Sequence, residues 1–340
     1  MKYGIIFGGS SFEHEISIVS AITIKDKLDI SAFIFVDKNR DFYLIDKENM
    51  KSKYFARGEY KNAKKLEIKK RGFFYKEGLL KKEKKVPFDI AINLIHGRDG
   101  EDGKISGMLE FFEILAITPD TQACTVSYNK VLTKAYAKEI GVNVIEYEVI
   151  TKPKTKFNFP VIVKPARLGS SIGVSVVKNQ EEFEYAFDVA KEFDDLIIVE
   201  PFIEGIEEYN LAGCRAGEWI FSKLEHVEKK EFLDFEKKYM DFSRKEIKIN
   251  EDKTLKPKFE EVFKKIYNNT FKNALIRCDF FYKDDIIYLN EINPIPGSLA
   301  NYLFDDFKSV IEKLALSLEK EKPIEITYEY INKIQMAKGK

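Results

Sequence analysis

Residues 276–294 read IRCDFFYKDDIIYLNEINP, and this stretch predicts a β-hairpin. Two runs rich in β-branched and aromatic residues flank Lys283-Asp284-Asp285, which has the composition of a turn. Side chains two residues apart in a strand lie on the same face, so Arg277 and Asp279 point the same way. For the same reason, Glu291 and Asn293 share a face. The opposite face would be apolar and buried, and it consists of Cys278, Phe280, Ile287 and Leu289.

The polar side chains of this hairpin would converge if its two strands pair. Asp279, Glu291 and Asn293 would then offer two carboxylates and an amide oxygen, which suit Mg²⁺ carrying nucleotide phosphates. Arg277 would lie close enough to neutralise charge on a phosphoryl group during transfer. The alternative is a surface hairpin whose acids are incidental, and the apolar opposite face argues against it.

The beginning of the chain predicts a strand, a tight turn and a helix, which open a βαβ unit. Residues 3–7 form a short apolar run, Gly8-Gly9-Ser10-Ser11 follows, and the next apolar residues lean toward helical spacing. Such a turn presents backbone N–H groups at a helix N-terminus, where an anion or carboxylate is stabilised. Glu13 could hold an ammonium group there, although ordinary acids at a helix N-terminus are the alternative interpretation.

A second loop with functional side chains follows a predicted buried strand. Residues 89–95 are almost continuously apolar and run directly into His96-Gly97-Arg98-Asp99-Gly100-Glu101-Asp102-Gly103. Ligands of open α/β sheets bind at the carboxyl ends of the strands, so this loop is a candidate binding site. We predict an open parallel sheet with helices on its faces up to about residue 118. Helices are predicted over 104–113, 128–140, 181–193 and 259–271.

The middle of the chain predicts a site for a polyphosphate. Residues 161–165 form a strand that contains Lys164 and ends in proline, and the loop after it contains Gly169-Ser170-Ser171. A cation on a rigid strand beside a loop rich in backbone donors can fold over phosphates. The next strand ends in an apolar slot with acceptors, formed by Glu200, Phe202, Ile203 and Glu207.

The charge of the chain is balanced overall but uneven locally. The 340 residues contain 56 Lys and Arg against 56 Asp and Glu, which argues against a dedicated nucleic-acid or membrane binder. Residues 51–85 contain fourteen Lys and Arg against four Glu, a balance of +10, so the remainder carries −10. We interpret this segment as a solvated insertion with hairpins at a sheet edge. A nucleic-acid-binding role is the alternative, but no recognised binding module is present.

The cysteines and the apolar runs predict a cytoplasmic protein. Three widely spaced cysteines, Cys124, Cys214 and Cys278, have no Cys-x-x-Cys spacing, as expected for reduced thiols. No stretch approaches the roughly 20 apolar residues of a membrane span. The first turn lacks the third glycine of a dinucleotide-binding fingerprint, which argues against a nicotinamide dehydrogenase.

Taken in order, these motifs resemble those of the ATP-grasp superfamily, and specifically of the D-alanine–D-alanine ligase family. The pieces that carry the resemblance span nearly the whole chain. They are residues 8–15, residues 96–103, Ser127-Tyr128-Asn129-Lys130, Val163-Lys164-Pro165 with Gly169-Ser170-Ser171, Lys237-Lys238-Tyr239, and Arg277-Cys278-Asp279 with Asn290-Glu291-Ile292-Asn293.

The resemblance implies a mixed α/β enzyme of three domains. Residues 1–118 would form a Rossmann-like substrate domain that carries the basic insertion 51–85. Residues 119–199 would form a central domain and residues 200–340 a C-terminal domain, with ATP held between them and a mobile loop at 226–246. The implied reaction phosphorylates the carboxylate of one D-alanine, whose acyl phosphate is attacked by the amine of a second, for peptidoglycan precursor synthesis.

The resemblance also implies roles for individual residues. The catalytic group would be Glu13, Ser170, Tyr239, Arg277 and Gly297. The substrate-binding group would be His96, Lys238 and Ser298. The ATP-binding group would be Lys130, Lys164, Ser171, Glu200, Phe202, Ile203, Glu207 and Phe281. The metal ligands would be Asp279, Glu291 and Asn293, holding two ions of Mg²⁺ or Mn²⁺.

Two departures from the family pattern and one alternative function accompany this interpretation. The family commonly has a serine shortly after Pro296-Gly297 that holds the second substrate's carboxylate, whereas residues 299–303 here read LANYL. The loop also has Phe235 where a tyrosine is frequent. The alternative is another ATP-grasp carboxylate–amine ligase or a D-alanine–D-lactate ligase. The resemblance further implies a homodimer that binds neither nucleic acid nor membrane.

Overall fold

Three β-sheets organise the chain in this computed structural model. The structure describes residues 1–78, 82–227, 248–250, 254–268, 270–320 and 322–338. The first sheet has eight strands, the second four and the third five. The segment 226–246, expected to be a mobile loop, lies outside the described residues apart from its first two positions.

The first sheet has the strand order β6-β5-β4-β3-β2-β1-β7-β8. Its strands are β1 (Tyr3–Gly8), β2 (Ile30–Val36), β3 (Phe42–Ile45), β4 (Lys64–Lys69), β5 (Gly72–Glu77), β6 (Lys82–Lys85), β7 (Ile90–Asn93) and β8 (Ala116–Ile117). The strands β2, β1, β7 and β8 are parallel, and the remaining strands add in antiparallel pairs. The predicted open parallel sheet is confirmed for β2, β1, β7 and β8, and the hairpins β4–β5 and β5–β6 extend it with the antiparallel edge that the aromatic pieces of this region predict.

The basic segment 51–85 supplies that antiparallel edge. Its lysines face solvent, as expected, but Leu66 and Phe73 are buried in a hydrophobic cluster with Ile34 and Val36 of β2. The segment is thus an extension of the sheet with one apolar face, rather than a purely solvated insertion.

The helices beside the first sheet begin where its strands end. They are α1 (His14–Ile24), α2 (Ser52–Ala56) and α3 (Lys104–Phe111). The α1 helix follows the Gly8-Gly9 turn after β1, and α3 follows the loop 96–103 after β7. Both candidate substrate loops therefore lie at the carboxyl ends of neighbouring parallel strands.

The second sheet is antiparallel, with the order β11-β10-β12-β9. Its elements are α4 (Thr121–Tyr128), α5 (Lys130–Glu139), β9 (Glu148–Ile150), β10 (Val161–Pro165), β11 (Ser175–Val177), α6 (Gln180–Lys191) and β12 (Ile197–Pro201). The predicted helix over 128–140 begins at Lys130, because the Asn129 side chain accepts a hydrogen bond from the backbone N–H of Val131 at 3.0 Å and caps a new helix.

The third sheet is built around one long hairpin. Its strands are β13 (Glu207–Ala216), β14 (Glu218–Phe221), β15 (Glu225–Val227), β16 (Ile276–Lys283) and β17 (Ile286–Asn293). Helices within the described residues after β15 are α7 (Leu255–Tyr267), α8 (Phe307–Leu316) and α9 (Ile331–Ala337). Asp284 and Asp285 form the hairpin tip with positive φ values, as the turn composition predicts.

One hydrophobic core joins the first sheet to the C-terminal part of the chain. Ile5 and Phe7 of β1 lie in the same buried cluster as Leu303 and Ile311. This packing holds the turn after β17 against the first sheet. It brings together β1, that turn and α8, which are far apart in the sequence. Among the described residues, no helix is long and apolar enough to cross a membrane.

Candidate active site

Glu13 is enclosed by loops from two different sheets. Its side chain is buried and accepts a hydrogen bond from the Ser170 hydroxyl. A Cβ on Gly97, whose φ is +67°, would lie 2.7 Å from Oε2 of Glu13, and a Cβ on Gly169 would lie 3.0 Å from Oε1. Both glycines are therefore needed for the backbone to approach this carboxylate. Motifs 157 residues apart thus meet at one acid.

Glu101 is a second acid in this region. It belongs to the loop 96–103, but the sequence motifs indicated no role for it. Burial raises the pKa of Glu101 well above its usual range, and the nearby Glu13 carboxylate adds to this effect. Two neighbouring carboxyl groups that share a buried site do not both ionise readily. Burial and the Glu13 carboxylate therefore both favour the protonated form of Glu101.

His96 is buried at the end of the β7 segment and is neutral. Its Nδ1 lies 2.7 Å from the carbonyl oxygen of Leu94, and its Nε2 lies 3.4 Å from the Ser20 hydroxyl. Burial, assisted by the Arg277 charge, lowers the pKa of His96 to about 4, against the opposing effect of the Leu94 hydrogen bond.

Two lysines, predicted to bind phosphates, both lie buried near acids. The Nζ of Lys130 donates a hydrogen bond to the backbone oxygen of Leu168 at 2.6 Å and lies 3.5 Å from Oε2 of Glu291. The Nζ of Lys164 lies 2.7 Å from Oε2 of Glu200. Lys130 therefore connects the loop after β10 with the acidic hairpin, and Lys164 connects β10 with the end of β12.

Glu200 lies between two buried lysines. Lys134, which sequence reasoning missed, approaches Oε1 of Glu200 at 2.8 Å, and both side chains are about 2% exposed or less. Burial alone would raise the pKa of Glu200, but the charges of Lys164 and Lys134 lower it, so the carboxylate is ionised. Lys134 follows Lys130 by four residues on α5, a spacing that places both on one helix face and could have identified it.

The hairpin β16–β17 brings the predicted metal ligands together. Its register pairs Asp279 with Glu291 and Arg277 with Asn293. The Arg277 guanidinium donates two hydrogen bonds to Asp279, at 2.6 and 2.8 Å. Burial would lower the pKa of Arg277, but the Asp279 carboxylate raises it well above its usual value. The predicted hairpin is confirmed, and its register places Asp279, Glu291 and Asn293 at neighbouring positions.

The residues of the proposed nucleotide slot are more exposed to solvent than Glu200 and its two lysines. Phe202 is exposed, and its backbone N–H donates to the Pro160 oxygen at 3.1 Å. Glu207 accepts a hydrogen bond from the Tyr209 hydroxyl at 2.6 Å. The other predicted members are half-buried: Ile203 lies in the loop after β12, Ser171 in the loop after β10, and Phe281 on β16.

The turn after β17 carries the remaining predicted residues. Gly297 and Ser298 are half-buried, and Ser298, Leu299 and Ala300 have φ values of 48°, 52° and 49°. Lys238 and Tyr239, expected to act from the mobile loop, lie outside the described residues, as does Phe235.

Family models match both halves of the chain. The model described as D-ala D-ala ligase N-terminus matches residues 2–117, and the model described as D-ala D-ala ligase C-terminus matches residues 126–308. The sheets described above have the fold of ATP-grasp enzymes. More narrowly, the chain belongs to the D-alanine–D-alanine ligase family.

Individual relatives agree with this assignment over their full length. The D-alanine–D-alanine ligase of a Nitratiruptor species is 56% identical over 345 residues, which cover 99% of this chain and 100% of the relative. The crystal structure of D-alanine–D-alanine ligase from Helicobacter pylori is 49% identical, has a TM-score of 0.84, and covers 94% of this chain and 100% of its own. The VanG D-Ala:D-Ser ligase from Enterococcus faecalis, at 23% identity and a TM-score of 0.75 over 93% of this chain and 99% of its own, shares the fold.

Proposed function

We propose that this protein joins two D-alanine molecules to D-alanyl-D-alanine, with conversion of ATP to ADP and phosphate. Membership of the ligase family supports this reaction. The observation that carries the proposal is the hairpin register, which sets Asp279 opposite Glu291 and Arg277 opposite Asn293. Lys130 lies 3.5 Å from Glu291, so cations and acids meet where a transferring phosphoryl group needs them.

The donor set of the hairpin fits Mg²⁺ bound together with a nucleotide. Asp279, Glu291 and Asn293 would hold the ion, or two ions, of Mg²⁺ or Mn²⁺, because all three provide hard oxygen atoms. Within the described ranges, no three His, Cys, Asp or Glu side chains form a metal cluster by themselves. Phosphate oxygens would complete such a site, as is usual for Mg²⁺. The ion would supply neutralisation of phosphate charge.

The buried lysines fit the nucleotide. Lys130 and Lys164 would bind phosphates, with backbone donors from the loop at Ser171. Both carboxylate oxygens of Glu200 are paired with lysines, Oε1 with Lys134 at 2.8 Å and Oε2 with Lys164 at 2.7 Å. Glu200 would line the adenine slot from the end of β12. The proposed remainder of the slot is Phe202, Ile203, Phe281 and, for the ribose, Glu207.

The substrate side of the site fits two amino acids. Glu13, held by Ser170, would bind the ammonium group of the first D-alanine, beside the neutral ring of His96. Arg277 and the Gly297 N–H would stabilise the oxyanion that forms when the second amine attacks. Lys238, Tyr239 and Ser298 would bind the second D-alanine and take part in closing the site.

We also propose the domain organisation, the oligomeric state and the cellular location of the protein. The divisions at residues 118 and 199 would separate a substrate domain from two domains that hold ATP. The protein would act as a cytoplasmic homodimer that supplies a dipeptide for peptidoglycan synthesis, without binding nucleic acid or membrane.

The proposal is tested by measuring phosphate release and dipeptide formation with ATP and Mg²⁺. We expect one dipeptide per phosphate with D-alanine and no product with L-alanine. A mixture of D-alanine and D-lactate tests the alternative, since a depsipeptide product would indicate a D-alanine–D-lactate ligase. Phosphate release with L-alanine and none with D-alanine would contradict the proposal.

A further inference from the structure

Ser20 lies at the junction of three segments that are far apart in the sequence. It belongs to α1, the helix that begins after Glu13, and its side chain is buried. Its Oγ lies 3.4 Å from Nε2 of His96 and accepts a hydrogen bond from the backbone N–H of Ser298 at 3.0 Å. One hydroxyl thus connects the helix, the loop after β7 and the turn after β17.

The neighbouring groups determine which way this hydroxyl points. The carbonyl oxygen of Leu94 can only accept, so Nδ1 of His96, 2.7 Å away, carries the ring proton. Because the ring is neutral, Nε2 presents a lone pair. Ser20 therefore donates its proton to His96 and uses an oxygen lone pair for the N–H of Ser298.

The turn that Ser20 contacts is strained. Ser298, Leu299 and Ala300 are consecutive non-glycine residues in the left-handed region. L-residues adopt this conformation at an energetic cost, so it persists only where the surroundings enforce it. Leu299 and Ala300 belong to the buried cluster that contains Ala21 of α1. The hydrogen bond from Ser298 fixes the first residue of the turn to the same helix.

We propose that Ser20 is a positioning residue for the ligation, which sets the geometry between the two substrates. Through Ser298 it holds the turn that carries the N–H of Gly297, and through His96 it holds the side of the site near Glu13. The inference rests on the proposed function, because it concerns the acceptor and donor D-alanines. Ser20 itself acts only through the backbone of Ser298 and the ring of His96.

A second serine on the same helix shows what is specific to Ser20. Ser17 accepts a hydrogen bond from the backbone N–H of Gly8 at 2.8 Å and donates one to the Leu94 oxygen at 2.6 Å. It therefore links β1 to the segment after β7 within the first sheet. Ser20, one helical turn later, reaches the C-terminal turn instead. The two serines hold different parts of the site.

Four proteins test this inference: the full-length wild type, Ser20→Ala, Ser20→Cys and the control Ser31→Ala. Like Ser20, Ser31 has a hydrogen-bonded hydroxyl, which donates to the backbone oxygen of Pro87 at 2.6 Å. It lies near the start of β2, at the opposite end of the parallel strands from the site. We measure the KM of ATP, the KM of the acceptor D-alanine, the ratio of phosphate to dipeptide, and hydrogen–deuterium exchange of the Ser298 amide.

Loss of the hydroxyl is expected to raise the KM of the acceptor D-alanine about tenfold, because an N–H loses its partner. Exchange of the Ser298 amide should accelerate by about the same factor, and phosphate release should exceed dipeptide formation. The KM of ATP should stay unchanged, and Ser31→Ala should behave as the wild type. Ser20→Cys keeps the volume with a weaker acceptor, so it should show a smaller effect of the same kind.

Two results would overturn the inference. Unchanged amide exchange with unchanged KM values in both Ser20 variants would show that the contact positions nothing. Equal rises in the KM values of ATP and D-alanine would show a merely structural role. Failure of the proposed function is distinguishable, because the wild type would then form no dipeptide, whereas amide exchange would still report the Ser20 contact.

Discussion

Glu200 and Glu77 each lie between two lysines, but in opposite environments. Glu200 contacts Lys134 and Lys164 in the interior, at 2.8 and 2.7 Å. Glu77 contacts Lys64 at 2.7 Å, and also Lys84, at the edge of the first sheet. The side chain of Glu200 is 2% exposed and that of Glu77 is 36% exposed. The same three charges therefore have different consequences.

Burial explains the difference. Exposed ion pairs are screened by water and salt and contribute little to stability. In the interior, removing one partner leaves a charge without compensation in a medium of low polarity. The basic edge, which dominates the composition, is consequently tolerant of change, whereas the Glu200 cluster combines stability with the proposed nucleotide site.

The largest expected effect is that of Glu200→Gln. Two buried lysines would lose their counter-charge, so the free energy of unfolding should fall by about 3–5 kcal/mol. Urea denaturation measures this change. The matched control is Glu77→Gln, whose denaturation midpoint should equal that of the wild type. Equal losses in both variants would remove the distinction between the two clusters.

His96 provides the next largest effect, through pH. The pKa of His96 is lowered to about 4 from an ordinary value of 6.5, chiefly by burial. The unfolded chain therefore binds this proton first as the pH falls, so the stabilisation is complete above about pH 6.5 and is lost towards pH 4. The loss amounts to about 3 kcal/mol. Urea denaturation at pH 7.5 and 5 should show about 2 kcal/mol of this loss in the wild type, because pH 5 lies above the lowered pKa. The same pH dependence in His96→Gln would contradict it.

Lys134→Met should have a smaller effect than Glu200→Gln. Glu200 keeps its ion pair with Lys164, and the methionine side chain fills most of the vacated space. We expect a loss of about 1–3 kcal/mol in the free energy of unfolding. A loss as large as that of Glu200→Gln would show that Lys164 does not compensate Glu200.

Salt should produce the smallest effect. At 1 M salt the Debye length is about 3 Å, so exposed pairs are screened while buried pairs are not. The difference in stability between the wild type and Glu200→Gln should persist in 1 M NaCl. A difference that disappears in salt would mean that the Glu200 cluster is accessible to water.

Local patterns predicted the hairpin and its convergent acids, because strand alternation fixes which residues share a face. The same logic found the strand-end loops that contain Glu13 and His96. In the basic segment 51–85 the sequence predicts the hairpins at the sheet edge but not the burial of Leu66 and Phe73, because lysines surround both residues in the sequence. The ion pairs of this highly charged segment are exposed to solvent.

Local sequence patterns do not predict contacts between segments that are far apart in the chain. The pairing of Lys134 with Glu200 joins a helix to a strand, and the contact between Ser20 and Ser298 spans 278 residues. Short strands such as β8 and β11 were also missed, since two or three residues carry too little periodicity to identify a strand.

The most direct test of the proposed ligase site compares acids within one hairpin. Asp279→Asn and Glu291→Gln alter the paired acids at its base, whereas Asp285→Asn alters an exposed acid at its tip that contacts Lys258. We predict that the rate of D-alanyl-D-alanine formation falls about a thousandfold in the first two variants and is unchanged in the third. Normal rates in Asp279→Asn and Glu291→Gln would contradict the account.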